Sequence, residues 1–175
     1  EVSPLPITCE SCHAESKLNA GSLIPRLAGQ SEAYLLSALK AYTGKQRPSG
    51  IMQVAVGTLP AESLPELAAY YARQTPSVRE AVAQDPALIE KGKTLAEVGR
   101  ASDKVPACLS CHDKAGANPA YPKLSGQNSA YLRQQLLLFQ AGTRGGSSYG
   151  HLMSEAAKGL TPQDMDALAA YFSQR

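Results

Sequence analysis

Two short stretches carry the chemistry of this sequence, Cys9-Glu10-Ser11-Cys12-His13 and Cys108-Leu109-Ser110-Cys111-His112. Each sets two thiols three residues apart and puts an imidazole directly after the second. Together they use all four cysteines of the chain. Disulfides across such short spans would close loops too small to add much stability. A reducible Cys-x-x-Cys pair belongs in a strand-to-helix setting. Zinc accepts Cys and His, but its sites usually place residues between the Cys pair and the His. Cys-x-x-Cys-His is the attachment signature of a c-type haem. Two thiols within one helical turn can form thioethers with the two vinyl groups on one side of a porphyrin, and the adjacent imidazole then lies under the ring and ligates iron. Cys9 and Cys12 are thus expected to hold one haem with His13 as its ligand, and Cys108, Cys111 and His112 a second.

The two motifs belong to an internal repeat. Residues 24–42, IPRLAGQSEAYLLSALKAY, match residues 121–139, YPKLSGQNSAYLRQQLLLF, and LPELAAYYARQ at 64–74 answers MDALAAYFSQR at 165–175. The same register settles what can reach the far side of each iron. A haem iron with one axial His stays open to small ligands, whereas a filled sixth position suits electron transfer. Of the three methionines, Met52 lies seven residues before Leu59 and Met153 seven before Leu160, so they are equivalent in the repeat. Both fall in Gly-rich segments, RPSGIM and GSSYGHLM, read here as irregular loops free to present a thioether. His/Met ligation favours Fe(II) and raises the potential. Met165 stands opposite Leu64 and is expected in the core. His151, the one histidine outside the motifs, has Gly50 as its counterpart and is read as a surface residue or a neighbour of the site.

The elements that must position these groups are helical. Ser31 precedes an amphipathic run that stops near Gly44, and Asn128 or Ser129 precedes its counterpart, which stops near Gly142; small polar caps in front and glycine behind are helix punctuation. Thr161-Pro162-Gln163-Asp164 opens the last helix with an N-cap, a first-turn proline and an acid at the positive end. Asp85-Pro86 starts another helix that ends at Gly99. No alternating strand pattern is present. Residues 75–84 read as a linker, dividing the chain into domains 1–78 and 79–175. The halves differ in one respect. A helix precedes the second motif, whereas only EVSPLPIT precedes the first, where Pro4 and Pro6 disfavour a helix; the first half is expected to lack the N-terminal helix of the second. Units of fewer than about 100 residues bury a modest core, so each is expected to fold poorly without its haem.

Composition excludes other classes. The 175 residues carry a formal charge of +2, too mild for nucleic-acid binding and without a basic cluster. Residues 1–87 hold seven Lys/Arg against eight Asp/Glu, and residues 88–175 ten against seven, −1 against +3. No apolar run approaches the roughly 20 residues that span a bilayer. The start at Glu1 reads as a processed or trimmed N-terminus.

Paired Cys-x-x-Cys-His units, each followed by Pro-x-Leu-x-Gly-Gln and then by a methionine before a Leu-Ala-Ala-Tyr helix, resemble the dihaem cytochrome c4 family over nearly the whole chain. The resemblance implies an all-α fold of two tandem class I cytochrome c domains, related by a pseudo-twofold axis and each wrapped around a covalent haem c. It implies a periplasmic carrier, soluble or peripherally attached to the inner membrane, passing single electrons toward a terminal oxidase from partners such as a quinol-oxidising complex or a dehydrogenase. It also implies that the carbonyls of Pro25 and Pro122 accept the ring N–H of His13 and His112, fixing ring orientation and raising ligand basicity. Two alternatives remain: a subunit docked on a dehydrogenase, for example a flavoprotein oxidising sulfide, and a dihaem peroxidase. A peroxidase needs one open iron, against which the matched Met52 and Met153 argue.

Overall fold

The computed structural model describes residues 5–19, 21–78 and 82–175, in which eight α-helices form two halves of similar plan. The first half contains α1 (Leu5–His13), α2 (Glu32–Thr43), α3 (Gly50–Gly57) and α4 (Leu64–Arg73). The second contains α5 (Pro86–Glu97), α6 (Ser129–Gln140), α7 (Gly150–Lys158) and α8 (Pro162–Gln174). Among the described residues the only β pairing is an isolated antiparallel bridge between Arg100 and Val105. The expected boundary between residues 78 and 79 falls at 79–81, outside the described residues, as does Pro4.

Side-chain caps account for the starts of four helices, α2, α3, α5 and α8. Ser31 caps α2 by accepting from Tyr34 N, and Asp85 caps α5 by accepting from Ala87 N. Thr161 and Asp164 form a reciprocal capping box on α8. Asn128 precedes α6 without capping it, because its side chain crosses to the first half and donates to Ile24 O.

Two expectations about the elements are corrected. The segment before the first motif is helical: α1 begins at Leu5 and carries Cys9, Cys12 and His13 itself. Pro6 lies in its first turn, where the missing N–H has no intrahelical partner to lose and the fixed φ suits a helix. The halves still differ, since α5 ends before the second motif, which occupies a 3₁₀ turn over Cys108–Ser110. The methionines are the second correction. Met52 lies in the first turn of α3 and Met153 near the start of α7, not in loops. Ser49 accepts from Met52 N and so caps α3, a signal that the Gly-rich composition hides.

The core of the second half gathers Leu95, Val105, Leu132, Phe139, Leu160, Met165, Leu168 and Phe172. Met165 is fully buried, as expected of the residue opposite Leu64. Within it α5 crosses α8 at Gly92, where a Cβ would fall 2.0 Å from Ala167 O, so only glycine permits this approach. In the first half Glu66 takes the register position of Ala167 and is exposed, while α1 reaches α4 through the Tyr70 hydroxyl, which donates to Glu10 at 2.6 Å.

The halves meet along a polar seam whose bonds come in exchanged pairs. Gln30 Nε2 donates to Lys123 O at 2.7 Å and Gln127 Nε2 to Arg26 O at 3.0 Å. Lys123 Nζ donates to Gly29 O at 2.7 Å and Arg26 Nη1 to Gly126 O at 2.9 Å. Swapping the halves maps each bond onto its partner, which is the pseudo-twofold relation written in hydrogen bonds.

Candidate functional site

Each Cys-x-x-Cys-His stretch folds as about one helical turn that ends on a buried imidazole. The amide of His112 closes a bond of 2.9 Å to Cys108 O. His13 and His112 are 8% and 6% exposed. His13 Nδ1 lies 3.0 Å from Pro25 O and His112 Nδ1 lies 2.8 Å from Pro122 O. A carbonyl only accepts, so Nδ1 carries the proton in both rings and Nε2 keeps its lone pair. Burial pushes both imidazole pKa values down while the proline carbonyls pull the other way. The result is a neutral, oriented imidazole with one nitrogen free for a metal.

Neither Cys9 nor Cys108 is primed as a free thiolate nucleophile. All four cysteines are free. Burial raises the pKa of Cys9, and that of Cys108 to about 11, the opposite of what a thiolate nucleophile needs. Among the described residues no three His, Cys, Asp or Glu side chains converge on a point that could hold a metal ion.

Apolar side chains surround both stations. In the second half Cys108 and Met153 pack against one cluster, together with Leu124, Leu136 and Leu137. In the first half Cys9 and Leu27 belong to one cluster, around Leu35, Ala68 and Tyr71, and Met52 and Leu59 to another, around Tyr42, Val56 and Leu64. Leu36 and Leu39 touch both clusters. These leucines are only half-buried. A flat apolar macrocycle covering them would complete each core, each fully buried leucine contributing roughly 1.5–3 kcal/mol. His151 is exposed in the first turn of α7.

Charge at the seam points to the same kind of group. Arg47 and Arg144 occupy equivalent places in the repeat. The Arg47 guanidinium stacks 4.8 Å above the Tyr42 ring, and that of Arg144 stacks 4.3 Å above Phe139. Each then crosses the seam, Arg47 to the Tyr131 hydroxyl at 2.5 Å and Arg144 to the Tyr34 hydroxyl at 3.3 Å. Gln135 Oε1 accepts from both, at 3.3 and 2.7 Å. Among the described residues neither has a carboxylate partner, and the buried Nε of Arg47 has no acceptor at all. An unmet buried donor costs about 1–3 kcal/mol. The two cations outweigh the effect of burial on Tyr34 and draw its hydroxyl well below the usual range. A buried guanidinium, Arg47, and a half-buried one, Arg144, without an anion fit a ligand that brings its own carboxylates, as haem does. The residues present therefore suit haem in apolar lining, axial nitrogen, thiol placement and counter-charge.

Reading the sequence missed Arg47, Arg144 and the seam glutamines. Their signal was available, since polar residues at one register in both halves of a repeat are candidates for contact across its symmetry axis.

A family model described as cytochrome c matches residues 89–175. Cytochrome c4 of Azotobacter vinelandii is 35% identical over 93% of this chain and 82% of its own length. The crystal structure of reduced recombinant cytochrome c4 from Pseudomonas stutzeri superposes with a TM-score of 0.83 at 32% identity, covering 95% of this chain and 92% of that one. A thiosulfate dehydrogenase electron acceptor of Thiomonas intermedia is 31% identical over 97% of this chain and 79% of its own length.

Proposed function

The chain belongs to the cytochrome c4 family, and from that membership we propose that His13 with Met52, and His112 with Met153, are the axial ligand pairs of its two haems. It is a dihaem electron-transfer cytochrome of class I fold rather than an enzyme. Bound haem would supply a one-electron exchange between Fe(II) and Fe(III). The protein's own residues do the rest. Cys9, Cys12, Cys108 and Cys111 would tether the rings, Pro25 and Pro122 orient the imidazoles, and the half-buried leucines of each lining would keep water from the iron. The observation that carries the ligand assignment is the pair of buried histidines whose Nδ1 atoms are both taken up by proline carbonyls, which leaves Nε2 free. For the methionines the support is their matched register and their packing, Met153 in the cluster that holds Cys108 and Met52 in one that shares Leu36 and Leu39 with the cluster of Cys9.

The domains divide at 78/79, and the protein works in the periplasm, accepting electrons from a quinol-oxidising complex or a dehydrogenase and delivering them toward a terminal oxidase. Among the described residues no helix is long and apolar enough to cross a membrane. Replacing Met52 or Met153 with alanine tests the ligands. The affected haem should lose its far-red Met-to-Fe(III) band, bind carbon monoxide readily and fall in potential by at least a tenfold change in its oxidised-to-reduced ratio, about 59 mV. An unchanged potential and band would remove that methionine from the assignment.

A second reading has its own observation, the likeness to a thiosulfate dehydrogenase electron acceptor. On that reading the natural donor is a dehydrogenase that holds this chain as a subunit. A stable dehydrogenase copurifying with the native protein at fixed stoichiometry would favour it, and a single species at the mass of the lone chain would favour the free carrier.

A further inference from the structure

The peptide units that hold the two histidines are held in turn from the other half. Pro25 O and Arg26 N belong to one peptide plane. Its carbonyl faces His13 Nδ1 at 3.0 Å, while its N–H donates to Gln127 Oε1 at 2.8 Å. The second station repeats this with the halves exchanged: Pro122 O faces His112 Nδ1 at 2.8 Å, and Lys123 N donates to Gln30 Oε1 at 2.9 Å. Both glutamines are buried, 8% exposed at Gln30 and 6% at Gln127. Their orientation is fixed by their partners, because each amide nitrogen faces a carbonyl, Lys123 O for Gln30 and Arg26 O for Gln127. Asn128 N also donates to Gln127 Oε1 at 2.9 Å.

We propose that Gln127 and Gln30 are positioning residues for the haem of the opposite half, each tuning that haem's axial histidine through a single peptide group. An acceptor on the N–H side of a peptide polarises it and makes its carbonyl a stronger acceptor, by about 10–30% per linked hydrogen bond. A stronger bond from imidazole Nδ1–H pushes electron density toward Nε2 and raises the basicity of the ligand. A more basic ligand stabilises Fe(III) over Fe(II), so each glutamine lowers the potential of the haem across the seam. Docking of the halves thereby enters the potential of each haem through two hydrogen bonds in series.

The inference rests on the dihaem His/Met reading, and the test separates the two. Gln127→Met and Gln30→Met are each prepared as the full-length, haem-loaded protein. The absorption spectrum first checks that both c-type haems and their Met-to-Fe(III) bands persist. Their absence from the unmutated protein would fail the underlying reading instead. A redox titration resolving the two haems then follows. Gln127→Met should raise the potential of the haem on His13 by about a threefold change in its oxidised-to-reduced ratio and leave the haem on His112 in place; Gln30→Met should do the reverse. In paramagnetic NMR the ring-proton shifts of the affected histidine alone should move. A glutamine that merely fastens the seam would move both haems together in either variant, or neither, and that result overturns the proposal. Should a variant lose haem or come apart at the seam, hydrogen exchange in the unmutated holoprotein decides. The amides of Arg26 and Lys123 should be better protected in the oxidised than in the reduced protein, because Fe(III) makes the imidazole N–H a stronger donor. Equal protection in both states overturns the proposal.

Discussion

Asp164 shows how much a single carboxylate can be asked to hold. Its side chain is 1% exposed, accepts from Arg100 Nη2 at 2.7 Å and from Thr161 N at 2.9 Å, and pairs with Lys91 Nζ at 2.9 Å. The Arg100 guanidinium is the main reason its pKa lies well below the usual carboxylate range; burial opposes the shift, and the Thr161 amide and Lys91 add to it. A depressed pKa means that the folded state binds the proton less readily than the unfolded chain. The stabilisation is therefore complete above the unfolded value of about 3.9 and is lost only as the pH falls through the lower folded value. Asp164→Asn should lower the stability of the second half by roughly 2–4 kcal/mol at pH 7, and the deficit should shrink in strong acid. Thermal melting followed at the haem band over a pH series would show this, and a deficit independent of pH would refute it. In the first half Ser63 stands at this register position and donates to Pro60 O at 2.7 Å instead. The residue-level chemistry that could be read from the sequence is the part encoded in contiguous letters: the motifs and the Thr161–Asp164 cap. Arg47, Arg144, Gln30 and Gln127 escaped because their partners across the seam lie 84 to 110 residues away, and no local rule connects them.

Helices were legible wherever a cap and a period agreed, as at α2, α5 and α8. The failures have physical causes. Pro6 was weighed as a helix breaker, although in a first turn proline costs nothing. The Gly-rich approach to each methionine was taken for loop, although Ser49 caps α3 with the very hydroxyl a loop would use for a turn. The difference between the halves also lies at this scale, in how a helix meets α4 or α8. α5 comes close enough to α8 that a Cβ on Gly92 would collide with backbone, which cannot swing aside as a side chain can. Gly92→Ala should therefore cost at or above the upper end of the roughly 1–3 kcal/mol typical of overpacking and should loosen the second half selectively. Glu66→Ala, at the corresponding place on α4, should change stability by no more than about 0.5 kcal/mol, as an exposed substitution away from packed contacts. Denaturant unfolding with the two haem bands resolved would compare them directly. Equal losses would mean that something packs over Glu66 as closely as α5 packs over Ala167.

At the scale of the whole molecule the seam sends two kinds of signal to the haems, and they can be told apart by range. A hydrogen bond relayed through one peptide acts on one histidine. A buried charge acts on everything around it, because the low local dielectric screens it poorly. Arg47 is such a charge and shares Gln135 with the half-buried Arg144; they stack on Tyr42 and Phe139 and reach Tyr131 and Tyr34, with no carboxylate partner among the described residues. A positive charge favours the state with the extra electron, so removing it should lower the potential. Since both guanidiniums lie on the pseudo-twofold seam, Arg47→Met should lower both haems together. The expected fall is on the order of a tenfold change in the oxidised-to-reduced ratio, about 59 mV for a one-electron couple. Were Arg47 to hold a carboxylate of bound haem, that carboxylate would take up its proton at higher pH in the variant, whose potentials should then fall with rising pH across the acid range while the unmutated protein's stay flat there. Arg47→Lys keeps the charge and loses the planar fork, and should leave the potentials within a few millivolts of their original values if charge is what matters. Voltammetry of the three proteins between pH 5 and pH 8 distinguishes the cases. If Arg47→Met moves a single haem, or if Arg47→Lys moves the potentials as far as Arg47→Met does, the arginine acts by local contact and not by its field.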